Sequence, residues 1–493
     1  MEQGGGERRS LPSRDRGRRH IHTARTRART RTRAPAPSSH PLCHPTLQTT
    51  TPAARPLPLP APVALGLRAV FGARRLASVF YESEASDHEE LDARRGGYRR
   101  QPAAPGAAAT PAAPIPRPDS AGELDGARAG EAADRARVHT IRRAILEAGD
   151  DLRAAHPWLE PAQDVIGGAL IVACVGANLA CAAAFAAGAL GPLACILACA
   201  FAQSILHEVE HDLIHSLYFK KGGGRAAHNA ALAAVYACRL STLNPWARRR
   251  LHLHHHAASG TASDLEERAI TNGLAWSPLR LLVTGDNLLA IVLRPAASLR
   301  ELRDYIRAVP AADPAAHPAT FLATRASILA ANAGGYFPGG ALHYGLWYTF
   351  LANAAVGLAR GGGFLAPGGA LAGLVTVYAA AFGAPNFLRT FCLHLVSSNI
   401  HYAGIRKGDV LNQTQVLTHP AFWPAQAFCA NFGGTHAIHH FVVRDPFYIR
   451  QAIAPRVLPV LKAQGVRFND VGTFWRANRV PADQAEAAAA KAA

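Results

Sequence analysis

The sequence predicts an all-α integral membrane protein with four transmembrane helices, paired as two hairpins beneath a histidine-rich cap on the cytoplasmic side. Two uncharged stretches carry the membrane assignment. Residues 165–206 run for 42 positions without Asp, Glu, Lys, Arg or His, and residues 326–359 hold only His343 from that set. About 20 apolar residues already span a bilayer, and a soluble fold cannot cover two such stretches. Three histidine clusters, all on one side of the resulting topology, define the cap. Length alone would allow two or three soluble domains for 493 residues, but the uncharged runs exclude that.

Taken in order, residues 1–135 are rich in Arg, Pro and Ala and poor in large aliphatics. They cannot bury enough surface to offset chain entropy, so a disordered arm is expected. Its Arg/Thr repeat near Arg25–Arg33 suits a targeting peptide, a membrane-surface arm, or translation begun upstream of the functional start. A helical pattern starts near Val138, with Ile141, Ile145, Leu146 and Leu152 opposite Arg142, Arg143, Asp150 and Asp151, and reads as an interfacial lead-in helix. Gly191-Pro192 divides the first apolar run into a span near Val165–Leu190 and a second from Leu193 into the first histidine cluster. A polar region from Lys220 to about Arg325 follows, with a possible amphipathic surface helix around Leu279–Leu293. The second hairpin pairs Leu342–Ala359 with Phe364–Ala384, and Thr390–Ile405 either extends the fourth span or lies in the interface. The membrane domain is expected over 136–460, with a tail at 461–493. Two hairpins put both flanks and the middle region on one face, and the Arg-rich middle region marks that face as cytoplasmic. An integral, multi-pass protein of a bacterial inner membrane is the expected localisation.

The formal net charge of +18 is uneven. Residues 1–34 carry eleven Arg against Glu2, Glu7 and Asp15, or +8, and the whole chain has only five Lys. No basic surface interleaved with aromatics appears, so nucleic acid is not an expected partner. Of eight cysteines, five lie in apolar stretches and none forms a Cys-x-x-Cys pair, which argues against a disulfide framework or a redox motif.

The histidines carry the chemistry. His207, His211 and His215 stand at i, i+4 and i+8, one stripe of a helix at the end of the second span. His252, His255 and His256 repeat an i, i+3, i+4 spacing while His254 points away, and His436, His439 and His440 repeat it again. A lone helical pair is ordinarily a core or capping residue. Three clusters on one membrane face are a different matter, because imidazole binds zinc, copper, iron and nickel and eight rings suit two ions rather than one.

The motifs HEVEH, HLHHH and HAIHH resemble the three histidine boxes of the membrane fatty acid desaturase and hydroxylase superfamily, and their placement around the spans is similar over roughly residues 140–460. The resemblance implies two non-haem iron ions, O2 as co-substrate, and oxidation of an unactivated C–H bond in a fatty acyl chain, most simply desaturation. It implies ligation by His207, His211, His252, His255, His256, His436, His439 and His440. His211-Asp-Leu-Ile-His215 is an equally good first box, which makes His215 a further candidate. Asn399-Ile400-His401-Tyr402 lies where the superfamily takes an extra ligand and resembles a box of alkane monooxygenases, which adds His401. His228, His254, His343, His394 and His419 have no such position.

Asp264, Glu266 and Glu267 resemble the acidic stretch after the second desaturase box. A carboxylate that accepts the far ring N–H of a ligand histidine fixes its orientation, although acids at a helix start also need no further reason. Glu208 and Asp212, beside the first stripe, are candidates for the same support. Arg248–Arg250 could hold an acyl carrier's phosphate or a lipid head group, or simply set topology. The chain lacks a His-Pro-Gly-Gly haem motif, an iron–sulfur segment and a Gly-x-Gly-x-x-Gly fingerprint, so an external ferredoxin, rubredoxin or cytochrome is the implied electron donor. Hydroxylation of a fatty acid or alkane and alkene-forming decarboxylation are alternatives on the same scaffold. HEVEH is also a literal HExxH, so a zinc metalloprotease is a rival from another class, although it leaves both HxxHH clusters unexplained. A non-catalytic metal carrier is a third, disfavoured because transport ligands usually lie near the bilayer midplane.

Overall fold

The computed structural model describes residues 121–219, 224–270, 273–308, 325–326 and 334–479. Residues 1–120, the greater part of the arm expected to be disordered, lie outside the described residues, as do 480–493 at the C-terminus. The first described helix, α1 (Ala121–Ala155), begins ahead of the boundary expected at 136. Ile141 and Ile145 are fully buried against Ile438, Val457 and Leu461, so the lead-in helix is part of the core behind the third histidine cluster.

Two long apolar helices follow, α2 (Gln163–Ala186) and α3 (Pro192–Ile214), antiparallel neighbours turned by Gly188 at φ +74°. Shorter helices cap one end: α4 (Gly224–Ala237), α5 (Pro245–Ala258), α6 (Leu265–Arg268), α7 (Pro278–Thr284), α8 (Asn287–Val292) and α9 (Pro295–Ala308). The amphipathic surface segment expected at 279–293 is therefore two short helices, α7 and α8, and Leu279, Leu281, Leu282, Val292 and Leu293 on them are exposed. The second pair is α10 (Gly339–Arg360) against α11 (Ala370–Tyr378), which continues through a π-helical turn (Ala379–Gly383) into α12 (Ala384–Ile400). The last span thus extends to Ile400 and delivers His401 directly.

Among the described residues, three helical stretches are long and apolar enough to cross a membrane: Gln163–Ala186, Pro192–Ile214 and Ala370–Ile400. The third expected span, α10, is long enough at roughly 33 Å, but its glycines, tyrosines and His343 hold its hydropathy below that of these three stretches. Large apolar side chains such as Val172, Leu193 and Leu358 stand exposed along these helices, as a lipid-facing surface requires.

The π turn has a local cause. Pro385 has no N–H to give the carbonyl of Ala381, four residues earlier, so that carbonyl needs another donor. Gln203 Nε2 of α3 donates to it at 3.1 Å and Asn178 Nδ2 of α2 at 3.2 Å, and Gln203 also donates to Asn178 at 2.8 Å. The two hairpins are thereby tied in the apolar layer by one orphaned oxygen. Gly383 in the same turn admits Trp347 of α10, whose ring would lie 2.4 Å from any Cβ there.

After α12 the chain forms β1 (Gln415–Val416), α13 (Trp423–Ala427), α14 (Phe432–Phe441), α15 (Phe447–Ala463) and β2 (Arg467–Phe468), with β1 and β2 parallel. Leu461 and Val466 belong to the core and Tyr402 donates to Asp470 at 2.7 Å, so ordered structure continues past the boundary expected at 460.

Candidate metal centre

Four elements converge on the cap. α3 ends in the first cluster, with His215 as its C-cap. α5 carries the second, started by Asn244, whose side chain accepts from Ala247 N at 2.9 Å, and by Pro245 in the first turn. α12 stops at His401, which leaves the helix in an extended conformation. α14 carries the third cluster and is buried along its whole length. Gly260, at φ +77°, lets the exit of α5 meet the segment after His401: a Cβ would lie 2.2 Å from the Tyr402 carbonyl, and Gly404 N donates to Gly260 O at 2.8 Å.

Nine of the ten candidate histidines gather into two groups. His211, His215, His252, His256 and His439 form one; His255, His401, His436 and His440 form the other, and within each group one ring nitrogen per residue lies within 4.8 Å of the rest. In the first, His215 Nε2 is 2.9 Å from His252 Nε2 and 3.0 Å from His439 Nε2, which is 3.0 Å from His256 Nε2. In the second, His440 Nε2 is 3.0 Å from His436 Nε2 and 3.2 Å from His401 Nε2. The groups adjoin, since His256 stacks on His440 with centroids 4.6 Å apart.

The far nitrogens are held from outside. His252 Nδ1 donates to Glu266 at 2.7 Å, His255 Nδ1 to both oxygens of Asp264 at 3.0 Å, and His401 Nδ1 to the Ser397 carbonyl at 2.9 Å. The Gln413 amide lies 2.9 Å from His440 Nδ1. A ring that gives its Nδ1 proton outward presents a bare Nε2 lone pair inward. Lone pairs gathered at about 3 Å repel one another unless a cation lies among them. Among the described residues neither nitrogen of His211 has a hydrogen-bond partner, nor does His439 Nδ1, although all three atoms are buried. This donor set fits two metal ions held by imidazole.

The electrostatics agree. Burial holds the pKa of His256, His436, His439 and His440 well below the usual imidazole range, with neighbouring histidines adding to the effect, and that of His401 falls to about 3. Neutral rings are the metal-binding form. His255 differs: burial opposes its charge, but the Asp264 carboxylate outweighs burial and lifts the pKa to about 9. Asp264 therefore favours positive charge on or beside that ring. Burial pushes Glu266 up, but His252 and Arg248 overcome it and hold Glu266 ionised, well below the usual carboxylate range. Glu267 is pushed up to about 7 by burial; it accepts from Ser397 Oγ at 2.6 Å and faces His401 Nδ1 at 3.5 Å.

His207 is in neither group. Arg239 Nη2 donates to its Nδ1 at 2.9 Å, and Arg239 is paired with Glu210. The first-cluster pair that the fold assembles is His211 and His215, the alternative register. Arg450 of α15 donates to Glu208 and Asp212 at 3.1 and 3.2 Å, and Asp212, which also accepts from Tyr218 and Phe447 N, has its Oδ1 3.9 Å from His211 Nδ1. The HExxH reading loses its geometry, because His207 is turned to Arg239 and Glu208 to Arg450. Arg248 faces inward, with bonds to Glu210 at 2.7 Å and Glu266 at 3.0 Å.

A cavity of about 550 Å³ opens beside the histidines. Its wall includes His211, His252, His255 and His436 at one part and Leu251, Ile291, Leu299 and Leu302 at another. The sequence reading missed the arginines around it, Arg239, Arg248 in its inward role, and Arg389. One signal was available for Arg389: it is the only Lys, Arg, Asp or Glu between Arg360 and Arg406.

Residues 186–472 match the family model described as fatty acid desaturase. Comparison with the curated proteins gives no match.

Proposed function

The chain belongs to the fatty acid desaturase family, and on that premise we propose that it is a membrane di-iron oxidoreductase that uses O2 to desaturate a fatty acyl chain. The observation that carries this reading is the pair of histidine groups, nine imidazoles in all, opening on a cavity with an apolar part. His211, His215, His252, His256 and His439 would hold one iron, and His255, His401, His436 and His440 the other. When bound, such a pair supplies O2 activation and the oxidising power to break an unactivated C–H bond.

The chain's own residues do the rest. Asp264 and Glu266 fix two rings of the second cluster, each through its far N–H, and set which nitrogen faces the centre. Glu210 and Arg248 link α3 to the acid that orients His252, so the first and second clusters keep one spacing. Leu251, Ile291, Leu299 and Leu302 receive an alkyl chain and keep water from it. Four spans in two hairpins, with α10 as the third, would put all three clusters at the cytoplasmic face of a bacterial inner membrane. There a separate ferredoxin, rubredoxin or cytochrome would deliver electrons, drawn by the basic surface.

The test is product analysis. Purified protein supplied with a ferredoxin, its reductase and deuterated acyl substrates should yield O2-dependent loss of two vicinal deuterium atoms by mass spectrometry. A hydroxylated product would move the assignment to hydroxylase. No oxidation of any acyl form by metal-replete protein would overturn it.

A further inference from the structure

Arg389 lies on α12, inside a segment apolar enough to cross a membrane, and its side chain is only 1% exposed. It lines the cavity that His211 and His436 also line. Nη2 donates to Thr390 Oγ1 at 2.8 Å, while Nε and Nη1 have no partner. The neighbouring carboxylates are committed elsewhere. Glu210 gives its two oxygens to Arg239 and Arg248, and Glu266 gives its two to Arg248 and His252. The other large buried arginines are unlike it: Arg239 and Arg450 each hold a carboxylate, and Arg280 bonds a carbonyl, Ser398 and Asn478. A desolvated guanidinium with no bonded carboxylate among the described residues is among the most costly groups a fold can bury, and a charge in an apolar span marks a binding site by default.

The cavity also has direction. Arg389 is a buried part of its wall, whereas Leu299 is 68% exposed and Ile291 38% exposed on the apolar part. A ligand that satisfies both ends has an anionic head and an alkyl tail, and it enters head first. A carboxylate is the natural head, because it accepts from two guanidinium nitrogens at once. A thioester or ester carbonyl carries no negative charge, so it leaves the guanidinium unneutralised.

We propose that Arg389 binds the carboxylate of a free fatty acid, so that the unesterified acid, rather than a thioester- or lipid-linked chain, is the substrate. This rests on the acyl-oxidising reading above and narrows its substrate class. Arg389 acts as a positioning residue: it fixes how far along the chain the histidines meet it.

The experiment uses metal-replete protein and a homologous series of saturated fatty acids with their methyl esters, each tested for turnover, site of oxidation and thermal protection. The acids should be preferred over their esters by about a hundredfold in kcat/KM, as befits a desolvated ion pair. They should also raise the melting temperature, as ligands of the native state do. In Arg389→Met the preference and the thermal protection should vanish. The oxidised position should scatter along the chain, and the ligand-free variant should be at least as heat-stable as the parent, because a costly buried charge has gone. Bromide should displace the acid only at concentrations far above those of the acid, and should protect the protein much less than the acid does at equal concentration. Bromide that protects as well as the acid does would mean that a small inorganic ion, not the substrate, neutralises Arg389. Esters or thioesters oxidised as well as acids by the parent would overturn the proposal while leaving the desaturase reading intact. No oxidation of any form would instead strike that earlier reading, and the loss of acid-induced protection in Arg389→Met would still test the carboxylate site.

Discussion

The first histidine cluster is where single residues decide most. His207, His211 and His215 are equivalent in spacing, yet the fold separates them, because Arg239 from the far end of α4 takes the Nδ1 of His207. Nothing in the local spacing reports that, since Arg239 lies 32 residues away. The repeated i, i+3, i+4 spacing was a safer guide, and all six of those rings fall in one group or the other. We expect His215→Ala to lose metal and at least a hundredfold of activity, while His207→Gln keeps both the metal and a Nδ1-like acceptor for Arg239. Metal analysis of the two purified variants checks this, and the opposite pattern would restore the upstream register. Asp264→Asn should weaken metal retention by about ten- to a hundredfold, the usual cost of removing the carboxylate behind a ligand histidine. Chelator-challenge rates measured beside the parent would reveal it. The acids beside the first stripe have partners that sequence spacing does not report. Adjacency in sequence put Glu208 and Asp212 near a ligand, but the helix turned them to Arg450 of α15.

At the scale of elements, uncharged runs were legible because a bilayer tolerates few charges in a spanning helix. The two ends of the last span were not, since apolar composition does not say where a helix stops. α12 continues to Ile400, where Ser397 Oγ donates to Glu267 and the Asn399 carbonyl accepts from Gln415 Nε2, both within the cap. The π turn was likewise hidden, because Pro385 in an apolar run reads as a break or a kink, whereas the carbonyl it frees is met by Gln203 and Asn178. Gln203→Leu should therefore cost about 1–3 kcal/mol, the penalty for a buried acceptor that loses a donor. A fall in the melting temperature of the detergent-solubilised protein checks it, and an unchanged value would mean that Asn178 alone suffices.

For the molecule as a whole, the helical, membrane-like character and the histidines that the fold gathers were legible in the sequence, because histidine spacing and charge exclusion are local signals. It could not carry the grouping of nine rings into two sites, which depends on four elements separated along the chain by as many as 224 residues. The central claim is that these groups hold two irons. Metal content of the purified full-length protein, with iron and zinc counted together, tests it most directly. The account predicts about two irons per chain, lost in His215→Ala. A single zinc per chain with no iron would contradict it.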